Sequence, residues 1–269
     1  MEDKRFLNQI QRWRVYWLYW LKSAGLTFQS LMATRFASVV FVVGKFFRFF
    51  FFLWFLLLLK ERIQTVVGYS VEQLVVFYLV FNLFDMLGQI FYRGIYWFRN
   101  EIVSGNFDFK LIKPLSPLFQ IMTSHTDFLD VPLFILVIVF LAYSMRSISF
   151  IEIAGFVLLT VVALMLITAI HIMVAAIGVI TTEVDHTIWI FRDLSMMGRV
   201  PVDIYTDLVR GFLTFVVPVA LIFTVPAKVL FGLVNFQALL VTVVIAGIFY
   251  SLALRLWRYA LTQYSSASS

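Results

Sequence analysis

Runs of about twenty apolar residues recur along this chain, and they constrain its fold more than any other feature. Hydrophobic residues make up 62% of the 269 residues and charged residues 13%, against about 25% in an ordinary soluble domain. A water-soluble core of this size could not hide so much apolar surface, so lipid must solvate much of it. Because a helix needs about twenty residues to cross a bilayer, we expect an all-α polytopic membrane protein.

The positions of the apolar runs predict six transmembrane helices within a single membrane domain, residues 1–269. We place the spans at residues 36–59, 72–91, 128–143, 151–180, 208–231 and 236–257. Pro218 and Pro226 interrupt the fifth run, which favours a span that ends early and returns as a short re-entrant piece. A simple kink in one long helix is the alternative.

Residues 4–30 mix basic and aromatic side chains at helical spacing. The basic ones are Lys4, Arg5, Arg12, Arg14 and Lys22, and the aromatic ones include Phe6, Trp13, Tyr16, Trp17 and Trp20. This pattern is typical of a helix that lies in the membrane interface with its rings among the lipid headgroups. The alternative is that these residues are only the basic flank of the first span.

Lysine and arginine are unevenly distributed among the connections between the runs. Most lie in the N-terminal arm, in residues 93–126, in residues 181–207 and in the tail, whereas the alternate connections hold only Lys60, Arg62, Arg146 and Lys228. Since positive residues mark the cytoplasmic side, we expect both termini and both polar stretches, including the part near residue 195, to be cytoplasmic. This rule and anionic lipids account for the net charge of +6, and we expect no nucleic-acid partner.

Three ionisable residues lie inside the predicted spans. Lys45 and Arg48 are three residues apart in the first span, so they share a helical face, and Asp85 lies in the second span. A charge in hydrocarbon costs at least about 2.5 kcal/mol and needs a partner. We therefore expect a buried pair between Asp85 and Lys45 or Arg48, in preference to a proton relay. Snorkelling of the basic side chains toward the headgroups is the alternative.

The polar stretch at residues 93–126 has a defined local pattern. Gly105 favours the left-handed conformation that closes a helix, and Pro114 and Pro117 stop helices. The pattern predicts a short helix, a tight reversal and a return toward the membrane. Its apolar residues, Phe107, Phe109, Leu111 and Ile112, suggest either a protein contact or burial against the bilayer surface, and the sequence does not choose between the two.

No motif for catalysis or cofactor binding stands out. The chain has no cysteine, and His125, His171 and His186 lack the spacing of metal ligands. It lacks a GxxxxGK[ST] phosphate loop, so any ATP must be bound by another chain. The rival interpretation is a non-transport scaffold or an intramembrane lipid-modifying enzyme. His125, Asp127 and Asp130 are the nearest catalytic cluster for such an enzyme, although their spacing is unconvincing.

Several short motifs in a fixed order resemble those of a known membrane protein family. In chain order they are Gly105-Asn-Phe-Asp108, Lys113-Pro-Leu-Ser-Pro117, Gly198-Arg-Val-Pro-Val-Asp-Ile-Tyr205, Val217-Pro-Val-Ala220 with Pro226-Ala227, and Leu256-Trp-Arg-Tyr259 with Tyr264-Ser-Ser-Ala267. Over nearly its whole length the chain resembles a permease subunit of the second ABC export class, in its small single-domain bacterial branch.

The resemblance implies more than the composition does. It implies six membrane helices with both termini cytoplasmic in the bacterial cytoplasmic membrane, and a dimer of two copies or of two related permease chains. A separate cytoplasmic ABC ATPase would carry ATP and Mg, with no cofactor on this chain. Residues 4–30 would be an interfacial connecting helix, residues 93–126 the coupling loop, and residues 217–235 a re-entrant segment on the outer side. Family substrates include drugs, lipids, peptides and glycans.

The family's ATPase contact, carried onto this sequence, falls in the coupling loop. It comprises Arg99, Glu101, Ile102, Gly105, Phe107, Asp108, Lys110, Leu111 and Lys113. In this interpretation Phe107 and Leu111 are the apolar anchor, and Asp108 and Lys110 form a polar rim around it.

The predicted orientation can be tested with a single cysteine, because the chain has none of its own. We expect Asn106→Cys in intact cells to resist a membrane-impermeant maleimide and to react once the membrane is permeabilised, since positive loops stay inside. Arg62→Cys, in a connection on the other side, is the matched control and should react in intact cells. Labelling of residue 106 but not residue 62 in intact cells would reverse the orientation.

Overall fold

A computed structural model describes residues 9–146 and 148–265, with side chains from residue 12 onward; Lys4, Arg5 and Phe6 of the predicted interfacial helix lie outside these residues. The helices are α1 (Gln9–Ala33), α2 (Arg35–Leu59), α3 (Val71–Tyr92), α4 (Phe98–Val103), α5 (Asn106–Leu111), α6 (Pro117–Met122), α7 (Val131–Ser144), α8 (Phe150–Thr181), α9 (Val184–Met196), α10 (Asp207–Phe215), α11 (Val225–Val229) and α12 (Phe236–Gln263). Short 3-10 helices cover Arg93–Trp97, Met197–Arg199 and Val202–Ile204, and a π-helix covers Ala220–Thr224.

A two-residue turn joins the two strands, β1 (Thr65–Val66) and β2 (Tyr69–Ser70), which form an antiparallel hairpin between α2 and α3. Val67 and Gly68, the turn residues, both have positive φ, as the tight hairpin turns that match strand twist require. Ser70 then caps α3, and its capping box with Gln73 sets where the helix begins. We call this end of the bundle the hairpin end, and the end that carries residues 93–126 the loop end.

The centre of the bundle is α3. It packs against α2, α7, α8 and α11, while α8 and α12 form the most extensive helix pair. Phe77 and Phe84 of α3 are fully buried. A largely apolar helix must be covered by protein or face lipid, and most of α3 is covered by protein. By contrast α2 and α12 are mostly exposed, so their apolar faces are available to lipid or to another subunit.

The all-α membrane fold is confirmed in its broad outline. Four helical stretches are long and apolar enough to cross a membrane: α2, the stretch Val71–Val103, α8 and α12. The bent pair formed by α10 and Ala220–Val229 raises this number to five if it counts as one span. The predicted third span, α7, has 14 residues and is only about 21 Å long, which is short for a hydrocarbon core of about 30 Å.

The predicted polar loop at residues 181–207 is wrong. Asp185, at the start of α9, lies 3.9 Å from Arg99 at the loop end, whereas Asp203 accepts a 2.9 Å hydrogen bond from the Tyr69 hydroxyl at the hairpin end. Between them Phe191 packs against His171, and Ser195 is buried. The segment therefore runs along the bundle from one end to the other and is not a loop at one end. Arg192 and Ser195 face the interior, whereas Glu183, His186 and Asp193 stay exposed.

The run at residues 208–231 is not a continuous helix. An 80° bend separates α10 from the helical stretch Ala220–Val229, and Pro218 lies in the break. Pro226 lies in the first turn of α11, where a missing backbone N–H is tolerated. After the break Phe223 packs against Phe81 of α3. This geometry fits a broken span or a re-entrant loop.

Close packing at the loop end makes Gly94 a sensitive position. A Cβ added at Gly94 would overlap the backbone carbonyl oxygen of Ile121, which cannot rotate away. We expect Gly94→Ala to lower the thermal melting temperature and the yield of the protein in detergent. Gly247→Ala in α12 is the matched control, because nothing lies within 4 Å of the added atom. It should be neutral or stabilise by up to about 1 kcal/mol, and equal melting temperatures for the two variants would contradict the packing described.

Candidate functional site

Residues 98–111 of the stretch predicted as the coupling loop fold into two short helices, α4 and α5, joined at Gly105. This residue adopts φ 72°, in the left-handed region, as its position after α4 predicts. The reversal places α5 against α4, where the rings of Phe98 and Phe107 meet edge to face at 5.2 Å. Phe107 also contacts Tyr264, at the end of α12, with 4.9 Å between ring centroids. The loop is thus packed onto the end of the last membrane helix.

Two polar contacts fix the same loop from inside. Lys110 donates to Glu101 at 2.7 Å, and both side chains are largely buried. Burial lowers the pKa of Lys110, and the adjacent Glu101 carboxylate opposes that shift. Tyr264 donates a 2.9 Å hydrogen bond to Asp108, and burial followed by this bond raises the pKa of Tyr264 to about 12. These contacts hold α4, α5 and the end of α12 as one unit.

The predicted assignment of roles within the loop is therefore partly wrong. Phe107 is fully buried and cannot be an exposed anchor, and Leu111 is partly buried against the core. Asp108 and Lys110 bind within the protein and do not form a rim. A helix of six residues gives too little periodicity to tell from sequence which face is buried.

Different apolar residues of the loop are exposed. Val103, Phe109 and Ile112 keep 59%, 61% and 81% of their surface accessible. Lys113 beside them is also exposed, and Arg99 is half-exposed in its pairing with Asp185. These four residues, Val103, Phe109, Ile112 and Lys113, are called the loop-tip surface below.

The helix α1 braces the loop from the side. The Tyr16 hydroxyl accepts a 3.1 Å hydrogen bond from the backbone N–H of Ser116, and its ring packs edge to face on Phe119. Trp13 and Trp17 are exposed on α1. The helix predicted at residues 4–30 is thus present from residue 9, and its exposed tryptophans suit the headgroup layer.

A second candidate region is a charged cleft beside α2. Lys45 donates to Asp130 at 2.6 Å and to Asp127 at 3.4 Å, and Arg93 lies 3.8 Å from Asp127. The predicted pairing of Lys45 with Asp85 is therefore wrong. The start of α7 brings Asp127 and Asp130 across to α2, and Asp85 has no cation within 4 Å among the described residues.

The charged cleft has a volume of about 640 Å³. It is lined by Phe36, Ala37, Val40, Phe41, Gly44, Lys45, Arg48, Asp85, Gln89, Arg93, Asp127, Asp130, Trp189, Arg192 and Met196. A neighbouring cleft of about 690 Å³ under α1 shares Phe41, Arg93 and Asp127 with it. The sequence predicts Arg192 in a loop and gives no sign that it lines this cleft. It reaches α2 only because α9 runs along the bundle.

The cluster considered for an enzyme does not form a catalytic arrangement. Asp127 and Asp130 are both engaged by Lys45, and the ring of His125 stacks on Trp97 at 5.6 Å. Among the described residues no group of three histidine, aspartate or glutamate side chains is placed to hold a metal ion. What the two regions offer is an exposed contact surface at the loop end and a charged cleft at membrane depth.

Comparison with known families agrees with this arrangement. A family model described as ABC-2 family transporter protein matches residues 46–268, most of the chain. The chain belongs to the ABC-2 transporter family. The predicted resemblance to an ABC-2 permease subunit is confirmed, and the chain is a membrane component of an ABC transport system. No curated protein and no solved structure is significantly similar to it.

The Lys45 cluster gives a stability prediction for this ABC-2 permease. Lys45→Met should leave the buried carboxylate of Asp130 without a cation and that of Asp127 with Arg93 alone, 3.8 Å away, and breaking a buried pair typically costs about 3–5 kcal/mol. We expect a clear drop in melting temperature in detergent. Lys60→Met is the matched control, because its pair with Glu72 is exposed and exposed pairs contribute at most about 1 kcal/mol. Equal melting temperatures for the two variants would contradict a structural role for Lys45.

Proposed function

We propose that the chain is the membrane-spanning subunit of an ATP-driven export system in the bacterial cytoplasmic membrane. It moves its substrate outward by alternating access, and a separate cytoplasmic ABC ATPase hydrolyses ATP with Mg. Membership of the ABC-2 family supports the transport role. The observation that supports docking of an ATPase is the loop-tip surface, an exposed apolar patch on a loop whose other face is packed against the protein.

The proposed topology has six crossings with both ends of the chain at the loop end, which would be cytoplasmic. The five apolar helices α2, α3, α7, α8 and α12 supply five crossings, and residues 184–204 supply the sixth. The contacts of Asp185 with Arg99 and of Asp203 with Tyr69 support this path. Residues 207–229 then form the re-entrant segment on the outer side. This placement is supported by Lys228, near the end of the segment, which lies 2.8 Å from Asp203 at the hairpin end.

The loop-tip surface is the proposed docking site for the ATPase. Phe109 and Ile112 would fill an apolar groove of the ATPase, with Val103 beside them and Lys113 at the edge. The rigid support matters because an anchor held in place loses little entropy on binding. The Phe107 packing and the Glu101–Lys110 pair supply that support, so these residues act through the loop's shape.

A second permease chain is the other proposed partner. The apolar faces of α2 and α12 are covered least within one chain, so a second copy or a related chain and membrane lipids would cover them. Export permeases of this proposed type need two such chains to enclose a path.

The docking proposal can be tested by removing the apolar side chains at the loop tip. We expect Phe109→Ser with Ile112→Ser to release the ATPase, because apolar anchors at an interface centre commonly contribute 2 kcal/mol or more, about a 30-fold change in affinity. The measurement is the ratio of ATPase to permease after purification through a tag on the permease, with ATP hydrolysis of the complex measured alongside.

Ile63→Ser with Val67→Ser, two exposed apolar residues at the hairpin end, is the matched control and should keep the ATPase. Packing of the loop tip against the bilayer predicts instead that both variants keep a normal ratio in detergent. An unchanged ratio and unchanged hydrolysis in the loop-tip variant would therefore refute the docking site.

A further inference from the structure

Arg48 is an unusual residue for the position it occupies. It lies 13 residues after the start of α2, about 20 Å along a helix of 25 residues, and its side chain is exposed. No carboxylate lies within 4 Å of it among the described residues. Lys45, one turn earlier, forms ion pairs with both Asp127 and Asp130. A charge at this depth is costly unless an opposite charge or water meets it.

Two more arginines approach the same place from α9 and the turn after it. Arg192 lines the charged cleft with Arg48. In the described part of the chain its guanidinium lies 3.5 Å from the Tyr96 hydroxyl and over the rings of Tyr96 and Trp189, and it makes no ion pair within 4 Å. Arg199 lies over the Phe81 ring and is close enough to repel both Arg48 and Arg192. The cationic side chains that line the cleft are Lys45, Arg48, Arg93 and Arg192, and the anionic ones are Asp85, Asp127 and Asp130, which leaves one positive charge in excess. Lys45 already holds Asp127 and Asp130, so Asp85 is the carboxylate left to balance Arg48 and Arg192.

Apolar side chains line the cleft beside these arginines. Phe36, Val40 and Phe41 of α2 and Trp189 of α9 line it and remain 50–84% exposed. Three of these side chains belong to α2, which is the least covered by protein of the four long apolar helical stretches in the described chain. An apolar group attached to an anion would therefore find a surface next to the charged part of the cleft.

We propose that the charged cleft binds the acidic headgroup of an amphiphilic substrate. Arg48 and Arg192 contact its phosphate or carboxylate oxygens, to which arginine donates paired hydrogen bonds. The apolar tail lies along Val40 and Phe41 toward the lipid. This substrate class rests on the proposed export function, and it deepens that function by placing substrate recognition on α2 and α9.

The proposal can be tested by binding to the purified chain without any ATPase. The protein, freed of lipid in a neutral detergent, is titrated with phosphatidylglycerol or with phosphatidylcholine of the same acyl chains, and bound lipid is counted by native mass spectrometry. We expect phosphatidylglycerol to bind at least tenfold more tightly. Arg48→Gln with Arg192→Gln should abolish that preference and leave phosphatidylcholine binding unchanged.

The matched control is Arg62→Gln with Arg258→Gln, which removes two exposed arginines outside the cleft and should keep the preference. Should the cleft variant fail to fold, Arg48→Gln alone serves, because this side chain is exposed and makes no ion pair in the described chain. Equal binding of the two lipids, or a preference that survives in the cleft variant, would overturn the proposal. So would displacement of phosphatidylglycerol by millimolar glycerol phosphate, which would mean a site for a free anion with no role for the tail.

Stimulation of ATP hydrolysis separates a substrate from a structural lipid. In the complex with the ATPase, phosphatidylglycerol vesicles should stimulate hydrolysis by the wild type and the control but not by the cleft variant. Lipid that binds without stimulating any of them would overturn the substrate assignment. Lipid binding by the cleft variant tests this inference alone, because that variant should keep the ATPase. ATPase retention by the loop-tip variant tests the proposed function alone, because that variant should keep normal lipid binding.

Discussion

Burial of most of α3 is the constraint on which the rest of the structure depends. Most of its side chains are apolar, so other helices must surround it, and α2, α7, α8 and α11 do so, whereas Asp85 and Gln89 line the charged cleft. This requirement draws the bent pair into the bundle through Phe223 against Phe81. It also leaves α2 and α12 at the periphery. The two regions of functional interest lie where this packing stops: at the loop that follows α3 and in the cleft between α3, α2 and α9.

The strongest apolar runs were predictable because the length and hydropathy of a run are nearly sufficient to identify a helix that lipid can solvate. The runs predicted at residues 36–59, 72–91 and 151–180 correspond to α2, α3 and α8 within about one residue. The same reasoning failed for α9, whose His186, Arg192 and Asp193 resemble those of a loop by composition. Of these, Arg192 lines a cavity, whereas His186 and Asp193 are exposed. Hydropathy along the chain does not show which neighbour a side chain faces.

Electrostatic pairing was harder to predict than helix position. The sequence correctly singled out Lys45 as a charge that needs a partner, but it offered Asp85 because that residue lies in the neighbouring span. The actual partners are carboxylates 82 and 85 residues away, and they become available only when the start of α7 is folded beside α2. Local turn chemistry was easier: Gly105 reversed the chain where its freedom of φ predicted. A prediction that depends on one residue's own backbone preference, such as the Gly105 turn, was therefore correct, whereas a prediction of which distant residue Lys45 contacts was not.

The bond between Tyr264 and Asp108 has a mechanical consequence. It ties the last turn of α12 to the loop, and α12 in turn packs along α8 over the most extensive helix contact in the bundle. A force applied to the loop is therefore delivered along the axes of two long helices, which act as a stiff lever. Lys45 joins α2 to the start of α7, but α2 is the least covered of the long helices in the described chain, so displacement of α2 relative to this lever is the deformation that the fold resists least.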